Sequence, residues 1–405
     1  MTAPTLPADL PLVVTDDGLG AFGPLVDLRP AFALRSGVGT LLESIEAALG
    51  RRAWSCTVAP DRAALVEEDG LAARVNAPLL ASALVVNGRL LNPRVLLGAE
   101  LAPGDTLVDA RGTTVAEWRD AGVAARPARQ VEAVLAAAPW DLTSAVGATL
   151  AADLDSHRDG VLAGAVARHL RPDEGQSFGT HPILIDATAT IGPLAVIDAS
   201  KGPVVIGRGV TVRPFAVLVG PCAVLDGTTV AERALLKAST VVGPQCRVGG
   251  EVGGTIIQGH SNKSHDGHLG DSFVGEWVNI GAGSDNSNLL NTYGEVVVRL
   301  EPDGGLVRTG RQFWGSVIGD HAKLAIGTRL MTGTTIGTGA MIALSTPPGS
   351  LVARFAWATD AGTRTFRLDR FLETARAMMS RRGRTPGPAL VAALTELHAR
   401  ATEGA

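Results

Sequence analysis

Counting every sixth residue from Ile206 gives Ile206, Val212, Leu218, Val224, Val230, Leu236, Val242 and Val248, aliphatic without exception. Two residues ahead of each stand Val204, Val210, Ala216, Cys222, Thr228, Ala234, Thr240 and Cys246, all small or β-branched. In a chain that is 46% hydrophobic, eight hits in one register arise by chance roughly once in several hundred trials, so the period is a property of the fold. The register returns at Ile318, Leu324, Leu330, Ile336 and Ile342, and appears upstream at Ile185, Ile191 and Ile197. A six-residue period is neither the 3.6 of a helix nor the alternation of a free strand. It predicts a parallel β-helix, in which each hexapeptide forms one flat side and its aliphatic residue points into a narrow interior. The 49 glycines, single tyrosine and 4% aromatic content agree with a repetitive, tightly turning chain. Gly207, Gly220, Gly243, Gly319 and Gly337 are expected at its corners. Arg208 is expected on its exterior.

The rest of the chain divides around this block. Residues 1–140 alternate apolar runs (LPLVV, SALVVNG, DTLVDA) with helical stretches such as GVGTLLESIEAALG, which predicts an α/β domain. Residues 141–178 are helix-like and are expected to be a connector. The β-helix is assigned to 179–346, ended by Pro347 and Pro348, and 347–405 is expected to be a helical tail beginning at RTFRLDRFLETARAMMSRRGR.

A formal net charge of -4 without a long basic run offers no electrostatic footprint for nucleic acid or an anionic membrane, so small polar ligands are the expected partners. Cys56, Cys222 and Cys246 are too few and too scattered for a disulfide framework, which fits a reducing compartment. No stretch reaches the length of a membrane span, and the N-terminal apolar run lacks a basic lead. A soluble, cytoplasmic protein is the expectation.

The register breaks between Val248 and Ile318, where an extruded loop is expected to line a binding face. TIIQGHSNKSHDGHLGD lies there, with His260, Lys263, His265 and His268, followed by Asn279, Asn286, Asn288 and Asn291. Three readings stand side by side: an imidazole base for proton transfer, a metal site whose histidine spacing matches no common zinc pattern, and a polar loop.

NIGAG before an asparagine-rich turn, with a histidine ahead of a Gly-Asp pair, resembles the β-helix domain of the bifunctional N-acetylglucosamine-1-phosphate uridyltransferase and glucosamine-1-phosphate acetyltransferase. The whole chain resembles a group of sugar nucleotidyltransferases with the same arrangement. That resemblance implies an α/β nucleotidyltransferase-like domain joined to a left-handed β-helix, working as a homotrimer with acetyl-CoA or another acyl-CoA. It places His265 at the general base, with the spacing to Gly270, Asp271 and Gly275 preserved, and Asn288 at the asparagine that orients the base. It implies substrate contacts at Lys263, His268, Asn279 and Asn286, and cofactor contacts at Ala282 and Gly283. His268 and Leu289 stand where the family has tyrosines, and Gly253 falls near a sugar-binding lysine.

In the first domain, Gly18, Gly20 and Gly23 follow the first strand, while the basic residues come later, as Arg29 and Arg35. Both arginines are candidates for holding phosphate in a sugar phosphate or sugar nucleotide. Arg89 stands where the family has an aspartate for Mg²⁺, and arginine cannot coordinate that ion. Asp16 and Asp17 are the nearby carboxylates. The functions in view are acyl transfer at the β-helix, nucleotidyl transfer in the first domain, and a non-catalytic, sugar-nucleotide-binding trimeric scaffold.

Overall fold

The computed structural model describes residues 6–78, 80–156 and 162–403. In the first domain, β1 (Leu12–Thr15) is flanked by β2 (Ala53–Thr57) and β3 (Ser82–Asn87), both parallel to it. The sheet is completed by β4 (Thr106–Val108), β5 (Thr114–Asp120) and β6 (Arg129–Gln130), in the order β2-β1-β3-β5-β4-β6. α1 (Leu41–Leu49) begins at a capping box, where the Glu43 amide donates to Thr40 and the Thr40 amide donates to the Glu43 carboxylate. Gly50, at φ 63°, closes it. α2 (Pro60–Glu68) is shorter in its buried contact, with only Leu65 and Val66 inside.

α3 (Pro139–Ser156) buries Trp140, Leu142, Val146 and Leu150 in the core that β1 and α1 share. The first domain therefore extends past the expected boundary at 140. The expected connector is curtailed as well. Residues 157–161 lie outside the described residues, and Ala165–Ala167 and Gly175–Gly179 are already strands paired with the solenoid.

The solenoid is a β-helix of the left-handed type, with parallel strands on three faces. All eight residues of the aliphatic column are at most 1% exposed, and the companion column is equally buried. Ile206 stacks on Val224 and Val224 on Val242, so the period read from the sequence is one side of a coil. The coils continue beyond Pro347 and Pro348 through Leu351–Val352 and Ala356–Thr359, and an antiparallel edge strand, Gly362–Thr365, ends the sheet. Proline here shapes a loop between coils without stopping them.

One column of corners consists of Gly209, Gly227, Gln245, His260, Trp277, His321, Gly339 and Phe355, all with φ between 53° and 71°. Left-handed backbone costs a side-chain-bearing residue roughly 1–2 kcal/mol, a cost accepted where the ladders on either side fix the turn. The glycines expected at corners serve a different need. A Cβ on Gly243 would lie 2.1 Å from the Gln258 carbonyl oxygen, so close approach of adjacent coils, rather than a positive φ, requires glycine there.

The three faces have different fates. The docked face carries Val204–Ile206, Cys222–Val224, Thr240–Val242, Ile256–Gly259 and Phe273–Glu276. Its outward side chains, Val205, Ala223, Val241, Ile256, Phe273 and Val317, are fully buried against the first domain and form one core with it. The open face carries Val217–Val219, Leu235–Leu236, Glu251–Gly253 and His268–Gly270. The tail face carries Thr211–Val212, Asn262–Lys263, Asn279–Ile280 and Lys323–Leu324. α4 (Leu368–Ser380) lies beside the tail face, and α5 (Pro388–Glu403) returns to the first domain, where Glu68 accepts from the Ala389 and Leu390 amides.

The extruded segment is residues 287–315, not the histidine-rich stretch. Residues 256–270 stay in the coils as strands Ile256–Gly259, Asn262–Lys263 and His268–Gly270. The excursion carries a small hairpin, Val297–Val298 against Val307–Arg308, and sends Val296, Val298, Leu300 and Trp314 into the first-domain core. It buttresses the domain junction.

Val224→Asp would bury an unpaired carboxylate in an apolar interior and is expected to cost several kcal/mol. Arg208, 68% exposed, forks onto Asp226, so Arg208→Ala is expected to cost no more than about 1 kcal/mol. Chemical denaturation of both variants checks the assignment; similar losses would contradict it.

Candidate functional site

The corner between the tail and open faces is formed by the turns before the open-face strands. His265 sits there, exposed, at the edge of a cleft of about 670 Å³ that runs across the tail face. Asn279, Gly281, Ala282, Arg213, Arg247 and Arg381 line the same cleft. The structure thus brings together His265, Asn279 and Ala282, three residues singled out in the sequence. The His265 ring makes no hydrogen bond among the described residues. Gly283 follows Ala282 in the turn at φ 65°.

Other expected site residues are engaged elsewhere. Asn288 donates to Asp271 at 2.6 Å on the opposite side of the open face, so it does not orient His265. Burial outweighs that hydrogen bond and raises the Asp271 pKa. Asn286 is buried, accepts from the Gly270 amide at 2.8 Å, and donates to the Gly270 carbonyl and the Ser272 hydroxyl. With its amide satisfied by the neighbouring coil, it is a rung of the solenoid and not a substrate contact. Lys263 points inward at 1% exposure, and its ammonium donates to the carbonyls of Gly249, His265 and Asp266. Burial lowers its pKa to about 8, against the pull of Asp266 and Asp285. All three of its N–H donors are spent on holding the His265 turn.

The three histidines do not converge. His260 stacks on Trp277 at 4.4 Å at one corner and His265 stands at the next. His268 lies on the open face, where its Nδ1 donates to the Asn286 carbonyl at 3.2 Å and its Nε2 is 3.8 Å from Glu251. Among the described residues no group of three or more His, Cys, Asp or Glu is placed to hold a metal, which removes the reading of this segment as a shared metal site.

Arg29 and Arg35 are also corrected. Arg29 is buried and pairs with Asp320 at 2.8 Å and Glu276 at 3.1 Å across the domain junction. Arg35 is buried beside it, donating to the Val38 carbonyl, while its amide donates to Gln258. Arg29 joins the two domains through its side chain and Arg35 through its backbone amide, and both guanidinium groups are buried away from any phosphate in solvent. The three cysteines are buried and free; burial pushes each thiol up to about 12.

At the C-terminal ends of β1 and β3, where ligands bind in open parallel sheets, Arg89 forks onto Asp17 at 2.8 and 2.6 Å. Asn87 donates to the same carboxylate at 2.8 Å. Burial opposes ionisation of Asp17, yet the hydrogen bonds from Arg89, Asn87 and the Leu19 amide hold its pKa below the ordinary value. A guanidinium already neutralises this carboxylate, and the residues do not fit Mg²⁺.

Residues 12–160 match the family model described as sugar nucleotidyl transferase. The chain is also similar to the bifunctional protein GlmU of Nitrosospira multiformis, 27% identical over 187 residues, covering 44% of this chain and 33% of that protein. GlmU of Methanococcus aeolicus is 32% identical over 162 residues, 40% of this chain and 38% of that one. The bifunctional sugar-1-phosphate nucleotidylyltransferase/acetyltransferase of Sulfurisphaera tokodaii is 29% identical over 156 residues, 38% and 37% of the two chains. The chain spans about a third of the length of these relatives. Among solved structures, an Arabidopsis UDP-N-acetylglucosamine acyltransferase aligns with 53% of this chain and 80% of its own at 12% identity, with a TM-score of 0.18. The chain thus joins a domain that matches the sugar nucleotidyl transferase model to a β-helix of the left-handed type. No helix among the described residues is long and apolar enough to cross a membrane.

Millimolar Mg²⁺ is expected to leave the thermal midpoint of the protein unchanged, because only a ligand that binds the native state raises it. A rise that disappears in Asp17→Asn would show that the carboxylate leaves Arg89 to take the metal.

Proposed function

We propose that the chain is a sugar-nucleotide-pathway transferase that moves an acyl group from an acyl-CoA to a sugar or sugar nucleotide at the β-helix. The observation that carries this reading is the cleft holding His265 together with Asn279 and Ala282. In the proposed reaction, the imidazole takes the proton that an acceptor amine or hydroxyl loses as it attacks the thioester carbonyl, and the thiolate leaves. Asn279 supplies neutral hydrogen-bonding groups beside it, and the Ala282 turn presents a small side chain where a thioester needs room. The Arg89–Asp17 pair favours this reading over nucleotidyl transfer in the first domain, which would need a metal-binding carboxylate at that place.

A homotrimer is part of the proposal. The first domain covers the docked face and the helical tail lies over the tail face, so copies have the open face to meet through. It presents Val196, Val217 and Leu235 outward, beside exposed Leu194 and Phe215 at the corner, an apolar strip of the kind that marks association. His268 and Glu251 border that strip, so a neighbouring copy would help close the site around the open corner.

Removal of the proposed base should lower kcat without disturbing assembly. His265→Ala is expected to reduce acyl release from acyl-CoA by about 10²- to 10⁴-fold in the presence of acceptor sugars, with little change in thermal stability. His260→Ala, at a stacked corner outside the cleft, is expected to affect stability more than turnover. Activity retained in His265→Ala would reject the assignment. Light scattering is expected to give a trimer at micromolar concentration, and a monomer would contradict that part.

A further inference from the structure

A second cleft, of about 320 Å³, lies between α4 and the tail face. We propose that it is a phosphate-binding site, formed by Lys323 of the solenoid with Arg381 and Arg382 at the end of the tail helix.

The cleft carries positive charge without a partner. His260, Asn262, Asn279 and Lys323 line the solenoid side, Arg381 and Arg382 the helix side, and no carboxylate lines the cleft. The chain as a whole has more acidic than basic residues, 40 against 36, so this bias is local. Glu276, the carboxylate that acts electrostatically on His260, is engaged by Arg29 on the docked side. Two arginines adjacent in sequence and a half-buried lysine repel one another unless an anion sits among them. Burial, with Arg247 and Arg381 nearby, lowers the pKa of Arg382 even from the high value of a guanidinium.

The cleft's cationic donors are also under-used. Lys323 donates to the Trp277 and His321 carbonyls, at 2.8 Å each, and no carboxylate pairs with it. An ammonium has three N–H groups, so one remains for the cleft. Lys263, two coils away, spends three donors on three carbonyls and has none to spare. Burial also lowers the Lys323 pKa to about 7, as expected of a lysine missing its counter-charge. Arg382 is planted on the solenoid by Nε to the Gln245 carbonyl at 3.0 Å and Nη2 to Asn262 at 2.7 Å, which fixes its guanidinium while leaving Nη1 without a protein partner. Fixed, under-used cationic donors with adjacent neutral amides are what a phosphate ester or diphosphate requires.

The cleft is continuous with the one that holds His265. Asn262, Asn279 and Arg381 line both. A ligand with its phosphate under α4 can therefore extend along the tail face toward His265. That connection rests on the acyl-transfer reading; the phosphate site does not. The phosphate has two possible sources, the nucleotide end of an acyl-CoA or the phosphate of a sugar phosphate.

Titration calorimetry on the full chain separates these, using adenosine 3′,5′-bisphosphate, a hexosamine 1-phosphate and inorganic pyrophosphate as probes. At least one is expected to bind, more weakly as salt is added, with about ten-fold or greater loss in Lys323→Met and in Arg382→Ala. Arg308→Ala, on the excursion, is expected to bind as wild type does. Preference for the bisphosphate assigns the site to the acyl donor, and preference for the sugar phosphate assigns it to the acceptor. Arg381→Ala, at an exposed helix end, gives the same test should Lys323→Met fail to fold. Binding that persists in His265→Ala is expected, and keeps the outcome separate from that of the transfer reaction. No binding of any probe at millimolar concentration, or binding unchanged in the Lys323, Arg381 and Arg382 variants, would overturn the proposal.

Discussion

The outer surface of one solenoid face is apolar, and the protein depends on its being covered. Val205, Ala223, Val241, Ile256, Phe273 and Val317 point away from the coil interior, yet all are fully buried, because α3, the excursion and the Gly23–Val26 turn of the first domain pack on this face. Each large side chain so buried contributes roughly 1.5–3 kcal/mol relative to exposure. Left open, the strip would be a contiguous apolar patch of the kind that drives aggregation. The first domain therefore acts as a structural half of the β-helix, whatever chemistry it retains. The pairs Arg29–Asp320 and Arg354–Asp27 fix its orientation. Their net contribution to stability is small beside the apolar burial, since desolvation offsets most of the attraction.

That docking determines where ligands can reach. With one face closed by the first domain and another shared with α4, the clefts that hold His265 and Lys323 both lie along the tail face. The solenoid then sorts similar residues by the direction of their side chains. Lys263 and Lys323 both belong to tail-face strands, but Lys263 points inward and ties down a turn, whereas Lys323 pairs in register with Asn279 and faces the tail helix. Strand alternation, which reverses side-chain direction at each residue, separates a structural lysine from an available one.

The interior of the β-helix was legible from its period, because a six-residue repeat has one economical solution and the aliphatic and small columns fall where it requires. The outer apolar column was also present in the sequence, unread: Val204-Val205-Ile206, Cys222-Ala223-Val224 and Thr240-Val241-Val242 are runs buried on both sides, the pattern of a strand covered on two faces. Reading it would have predicted the docking. The fates of Arg29 and Arg35 were not accessible in this way, since their partners Asp320, Glu276 and Gln258 lie more than two hundred residues away in sequence. The histidine-rich stretch misled by composition. Its polar residues do not extrude a loop; they occupy corners, outward positions and, at Lys263, an inward position of the coils, while the excursion is built by the less conspicuous residues 287–315. His265 and Ala282, which only the family resemblance had linked, line one cleft, but Asn288 turns to Asp271 because it lies past the open-face strand, at the next corner.

The central claim is that the first domain and the solenoid share one core and so form one cooperative unit. Differential scanning calorimetry of the full chain tests this directly. A single endotherm is expected, with calorimetric and van't Hoff enthalpies in agreement. Two resolved endotherms, one for each domain, would contradict it.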